Sequence, residues 1–244
     1  MKLALLFVAL SLANTVWASD QAAIQSQRVA LENFESYPSR AFPQAWKVRG
    51  SEEEARMVYR VAEENGNRFL HAHAEKQSVQ IGMMRAFPPT QYPILQWRWR
   101  VKALPVGADE RVGQTNDSAA GVYVVFDNTI TPRVIKYVWS AVLPQGIQID
   151  SPSYWRAKVV VLESGAPTTG DWTQETVNVY EDYKKLFGDE PGEVEGVALL
   201  TDSDTTGSVA EADYDDFALL PARIAQAGAG DEVAISSLAP TTSK

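Results

Sequence analysis

Ile94-Leu95-Gln96-Trp97-Arg98-Trp99-Arg100-Val101 changes from apolar to polar at almost every step. A period of two is the pattern of a half-buried strand, with Leu95, Trp97, Trp99 and Val101 on one face and Gln96, Arg98 and Arg100 on the other. Working outward, runs of the same kind recur at Ala120–Phe126, Val134–Ser140, Ala157–Leu162, Glu175–Val179, Val194–Leu200 and Tyr214–Leu220. They are rich in β-branched and aromatic residues and are separated by Gly, Pro, Asn and Asp, the rhythm of an all-β sandwich. One stretch, Tyr180–Gly188, has Tyr183, Leu186 and Phe187 at helical spacing with Gly188 as a stop signal. Asp20–Ala30 is a weaker helical candidate. The expectation is a single two-sheet antiparallel sandwich over residues 31–221 with one or two short helices, its first and last strands neighbours.

The segments outside that body read differently. Lys2, the apolar run Leu3–Leu12 and Val16-Trp17-Ala18 have the layout of a secretory signal, too short to span a bilayer, with cleavage expected after Ala18. Residues 19–30 form a lead-in. Residues 222–244 turn to Ala, Gly, Ser and Thr, and a mobile tail is expected there. The chain contains no cysteine, which excludes disulfides, thiolate metal sites and lipoprotein anchoring. Its formal net charge is −9, and loss of Lys2 with the signal makes the remainder more acidic. That charge, without a Lys/Arg cluster, argues against nucleic acid as a partner. No later run is apolar enough to span a membrane, so the expected location is periplasmic or secreted.

Candidate chemistry lies at both ends of the body. Asn33-Phe34-Glu35 with Trp46 near the start, and Asp213-Tyr214-Asp215-Asp216-Phe217 near the end, resemble the terminal strands of jelly-roll carbohydrate-binding modules. That resemblance implies a structural calcium shared by Glu35 and an aspartate. Alternation puts Asp215 on the face of Phe217 and Leu219, and a carboxylate turned inward needs a cation or several donors. Thr201–Gly207 carries Asp202-Ser203-Asp204, which resembles part of a calcium loop but lacks the downstream glutamate and reads better as a capping turn. Arg98 and Arg100 are expected to line a groove and to meet Asp117, Asp182, Asp202 or Asp204, the carboxylates available for catalysis. Ile135, Tyr137 and Trp139 form an aromatic row, a sugar-stacking platform if exposed and core if buried. His71 and His73 would share one strand face, more simply as an exposed pair than as metal ligands. There is no P-loop, nucleophile elbow or dinucleotide fingerprint, and the acidic run Asp189–Glu195 has the Pro and Gly of a loop.

Six phrases together resemble one family: Leu95–Pro105, Asp117–Phe126, Ile135–Ser140, Asn178–Tyr183, Ala198–Asp204 and Ala212–Phe217. It is a bacterial exported family known as domain of unknown function 3047, and the resemblance spans nearly the whole body. It supplies no catalytic residues to carry over. The functional expectation is an exported glycan-binding module. The alternatives are a polysaccharide hydrolase or lyase, and a periplasmic assembly factor that binds protein.

Overall fold

The computed structural model describes residues 28–127, 130–166 and 170–221. The segment expected to be a signal, most of the expected lead-in and the expected tail lie outside the described residues. One sheet contains β1 (Val29–Glu32), β3 (Tyr59–Glu64), β4 (Asn67–Glu75), β6 (Ile94–Ala103), β11 (Thr173–Asn178) and β13 (Val209–Leu220). The other contains β2 (Lys47–Arg49), β5 (Gln80–Met83), β7 (Ala120–Phe126), β8 (Arg133–Ser140), β9 (Gln148–Asp150), β10 (Ala157–Ser164) and β12 (Val194–Leu200). The first sheet runs β11-β6-β13-β4-β3 with β1 on β13, the second β2-β5-β12-β7-β8-β10-β9. The two stack as a jelly-roll-like sandwich.

The first and last described strands are neighbours, with Val29 opposite Leu219 and Ala30 opposite Ala218. Val29 and Ala30 are therefore strand, which corrects the end of the helix expected over Asp20–Ala30. Pairing is antiparallel except between β8 and β10, which run parallel. Residues 141–156 separate these two strands and provide the long return that parallel neighbours need.

The core lies between the sheets. Trp97 and Trp99 are buried from one side, Tyr137 and Trp139 from the other. Their rings meet across the layer, Trp97 to Tyr137 and Trp99 to Trp139, each at 5.9 Å. Burying a large apolar side chain stabilises by about 1.5–3 kcal/mol, so this quartet is a main support of the fold. It also corrects one expectation: Tyr137 and Trp139 point inward and offer no binding platform.

Two helices complete the chain. α1 (Glu52–Val58) starts on Ser51, whose side chain accepts from the Glu54 N–H. α2 (Val179–Phe187) starts on Asn178 and stops at Gly188, in the left-handed region at φ 80°.

A bulge in β13 corrects the expectation for Asp215. Asp213 lies opposite Arg100 and Asp215 opposite Arg98, after which the register shifts before Ala218. Asp216, at φ 56°, absorbs the extra residue. Alternation changes phase there, so Asp215 faces outward with Arg98 while Phe217 faces the core.

Candidate functional site

The outer face of the six-stranded sheet is a ladder of charges. Strand alternation brings Arg98, Arg100 and Lys102 of β6 beside Glu211, Asp213 and Asp215 of β13, with His71 and His73 of β4 beyond. Opposite charges face each other directly, the favourable cross-strand arrangement. Arg98 reaches Asp215 at 2.6 Å and Asp216 at 2.9 Å. Arg100 reaches Asp213 at 2.7 Å and Glu64 at 2.9 Å, and Lys102 reaches Asp213 at 2.9 Å. His71 Nδ1 lies 2.7 Å from the same Asp213. Burial alone would raise the Asp213 carboxyl, but hydrogen bonds from His71, Lys102 and Arg100 hold it below the usual range. Burial raises Asp215, against hydrogen bonds from Asn67 and Arg98. Trp172 lies 4.8 Å from the Arg98 guanidinium and 4.7 Å from that of Arg100.

The arginines thus meet carboxylates, but not the expected ones. Their partners come from the adjacent strand β13 and from Glu64 at the end of β3, Asp213 and Asp215 lying in register with them. The histidines also differ from expectation, since His71 is buried against Asp213.

Glu35 and Asp215 bond to adjacent residues of β4. Exposed Glu35 accepts from the Arg68 N–H at 2.9 Å, and buried Asp215 from Asn67 Nδ2 at 2.9 Å. The countercharge that a buried Asp215 requires comes from Arg98. Glu32, not singled out in the sequence, gathers the end aromatics: it accepts from the Tyr37 hydroxyl at 3.1 Å and from Trp46 Nε1 at 3.3 Å.

Three of the four carboxylates considered for catalysis come together. Oxygens of Asp117, Asp202 and Asp204 lie within 4.8 Å of one another, a spacing at which they could share a cation. Asp117 accepts from the N–H and hydroxyl of both Thr205 and Thr206, as a capping residue does. Asp202 accepts from the Ser118 N–H at 2.8 Å. Burial pushes Asp202 up to about 8, with Asp117 and Asp204 adding to the shift. Asp182 is elsewhere, on α2, accepting from the Tyr137 hydroxyl at 2.8 Å. Glu110 is buried and accepts from the Ser140 and Ser118 hydroxyls.

The outer face of the seven-stranded sheet is shaped differently. A groove of about 510 Å³ runs over it. In register, Gly82 of β5, Ala198 of β12, Tyr123 of β7 and Lys136 of β8 follow one another across the sheet. Tyr123 and Lys136 line the groove together with Tyr154, which is positioned by its hydroxyl donating to the Pro132 carbonyl at 2.7 Å. Lys136 donates to Ser153 Oγ at 3.3 Å, and its ammonium lies 5.1 Å from the Tyr123 ring centre. Arg49, Ser78 and Gln80 form the far side. Ser78 also bridges to Asp202, so the acidic group adjoins one end of the groove. Trp155, next to Tyr154, is 75 % exposed. Sequence reasoning passed over this face, although one signal was present: Tyr123 and Lys136 are polar-tipped side chains on the outward phase of strands otherwise almost wholly apolar.

Fold and site together define a β-sandwich with one closed outer face and one grooved outer face. The chain belongs to the family described as Protein of unknown function (DUF3047), whose model matches residues 44–218. No curated protein matches it. Among solved structures it is similar to a family 30 carbohydrate-binding module of a cellulosomal cellulase of Clostridium thermocellum. That match has 10% identity and TM-score 0.42, covering 79% of this chain and 96% of that one. It is also similar to the Emp47p carbohydrate recognition domain (9%, TM-score 0.36, 80% and 95% covered). A third likeness is the family 11 xylanase from Neocallimastix patriciarum (11%, TM-score 0.32, 80% and 95% covered). At such identities and TM-scores these likenesses assign no activity.

Proposed function

We propose that this chain is an exported glycan-binding module and that the groove over the seven-stranded sheet is its binding surface. The observation that carries the reading is the groove lining, in which the half-buried ring of Tyr154, with the largely buried Tyr123 in the floor, stands among the polar groups of Ser78, Gln80, Lys136 and Ser153. A sugar ring presents apolar C–H faces and a rim of hydroxyls, and mixed aromatic and polar walls suit both. A glycan array probed with the chain from Ser19 onward tests it, with Tyr154→Ala as the control. Binding that weakens about tenfold in the variant, the loss of roughly 1.4 kcal/mol of stacking, supports the groove. Array binding unchanged by Tyr154→Ala removes it. Export is tested by N-terminal sequencing of the mature chain, expected to begin at Ser19.

A second reading, cleavage of the bound glycan, rests on Asp202. A carboxyl that keeps its proton near neutral pH, beside a second carboxyl, is what glycosidic cleavage asks of its acid. Release of reducing ends by the unmutated chain, lost in Asp202→Asn, would establish it. Binding without release leaves a module.

A further inference from the structure

The chain carries 31 Asp and Glu against 22 Lys and Arg. In the groove the balance reverses: among the described residues its charged lining is Arg49 and Lys136, with no carboxylate. Neither cation has an ion pair among the described residues, whereas every cation of the β6 ladder has one. Lys136 is the more telling of the two. Burial lowers its pKa, and its neighbours are the Ser153 hydroxyl and the Tyr123 ring, neither of which brings a full negative charge. The carboxyl it senses is Asp202, at the end of the groove, which makes no ion pair with it among the described residues. A partly desolvated ammonium without a countercharge is costly unless a ligand supplies one.

Arg49 stands at the other side. It lies on β2 and Lys136 on β8, four steps apart in the sheet order β2-β5-β12-β7-β8. At the usual strand spacing that is roughly 19 Å between backbones. Two separated cations along one groove suit repeated negative charges more than a single anion.

We infer that the groove takes an acidic polysaccharide, a sugar chain bearing carboxylate or sulfate groups, with Lys136 and Arg49 meeting successive anions. This rests on the glycan reading above and names the class of glycan. Charge-assisted contacts of this kind are screened by salt, while stacking on tyrosine is not.

Titration calorimetry of the mature chain against polygalacturonate, dextran sulfate and neutral dextran is the test, at low and at high salt. The expected result is that at least one acidic polymer binds at least about tenfold more tightly than dextran and weakens in high salt. Arg49→Gln and Lys136→Gln should each weaken it by about tenfold. Arg49 is exposed and unpaired, so its variant keeps the test sound even if Lys136→Gln folds poorly. Comparing polygalacturonate with dextran sulfate tells carboxylate from sulfate. Neutral dextran binding as tightly as the acidic polymers, and lost in Tyr154→Ala, overturns the charge inference and leaves the groove reading standing. Acidic polymers binding equally well to both charge variants also overturns it. No binding of any polymer, together with a blank glycan array, sinks the glycan reading itself.

Discussion

The two outer faces of the sandwich are made by the same rule, alternation along strands, and they come out opposite in character. On the six-stranded sheet, Arg98, Arg100 and Lys102 lie beside Asp213, Asp215 and Glu211. Each charge meets its opposite and the face is closed by its own chemistry. On the seven-stranded sheet, Lys136 has Tyr123 and Val159 as its cross-strand neighbours, and the row continues through Ala198 and Gly82. Small residues leave room there, and the charge of Lys136 meets no ion pair among the described residues. Register, more than composition, decides which face is finished and which is available.

The largest expected effect falls on the closed face. Asp213→Ala should destabilise the chain by about 3–5 kcal/mol, since it strands Arg100, Lys102 and His71 around a vacated centre. Chemical denaturation measures this, and a loss under about 1 kcal/mol would mean that the ladder is surface decoration. In the unmutated chain the Asp213 carboxyl is depressed on folding. Its contribution is therefore present above the unfolded aspartate pKa and is lost as pH falls through the lower folded value, so melting should drop in acid.

The acidic group at the groove end should show the reverse sign. Asp202 is raised on folding to about 8, so its contribution is fully present below the unfolded value of about 3.9 and disappears as pH rises through about 8. Melting temperature should decline across that window, and Asp202→Asn, which keeps an acceptor for Ser118, should flatten part of the decline. Glu175, raised to about 7 mainly by burial, accounts for some of the remainder. A slope identical in the variant would show that Asp202 does not take up its proton on folding.

Smaller effects sharpen the contrast. Trp172→Ala removes the ring beside Arg98 and Arg100 and should cost about 1 kcal/mol, read from the denaturation midpoint. Arg49→Gln, on the open face, should leave stability within about 0.5 kcal/mol because no partner is lost. A substantial loss there would show that Arg49 serves the fold and not the groove.

Much of the architecture was legible in advance. The bounds of β7 and β12 were readable to the residue, and the pairing of the first and last described strands followed from their motifs. The first part of the body was not. β2 has three residues, too few for alternation to register, and α1 opens on three successive glutamates that carry no apolar spacing. The outward-facing Arg98 and Arg100 were visible, but their partners were not. Asp213 and Asp215 are separated from them by more than a hundred positions and share their face only through register.

Pattern along the chain, acting locally, was enough to determine a two-sheet sandwich, the inward direction of Trp97 and Trp99, and the presence of α2 with its stop at Gly188. Tertiary structure alone decided what depends on more than one strand. The bulge at Asp216 turned Asp215 outward to Arg98. The stacking of the sheets buried Tyr137 and Trp139 against Trp97 and Trp99. The order β2-β5-β12-β7-β8 assembled Arg49, Tyr123 and Lys136 into one groove. Alternation is set by neighbouring residues and is written in the sequence. Register and strand order are set by the packing of distant segments, and one inserted residue reverses every face beyond it.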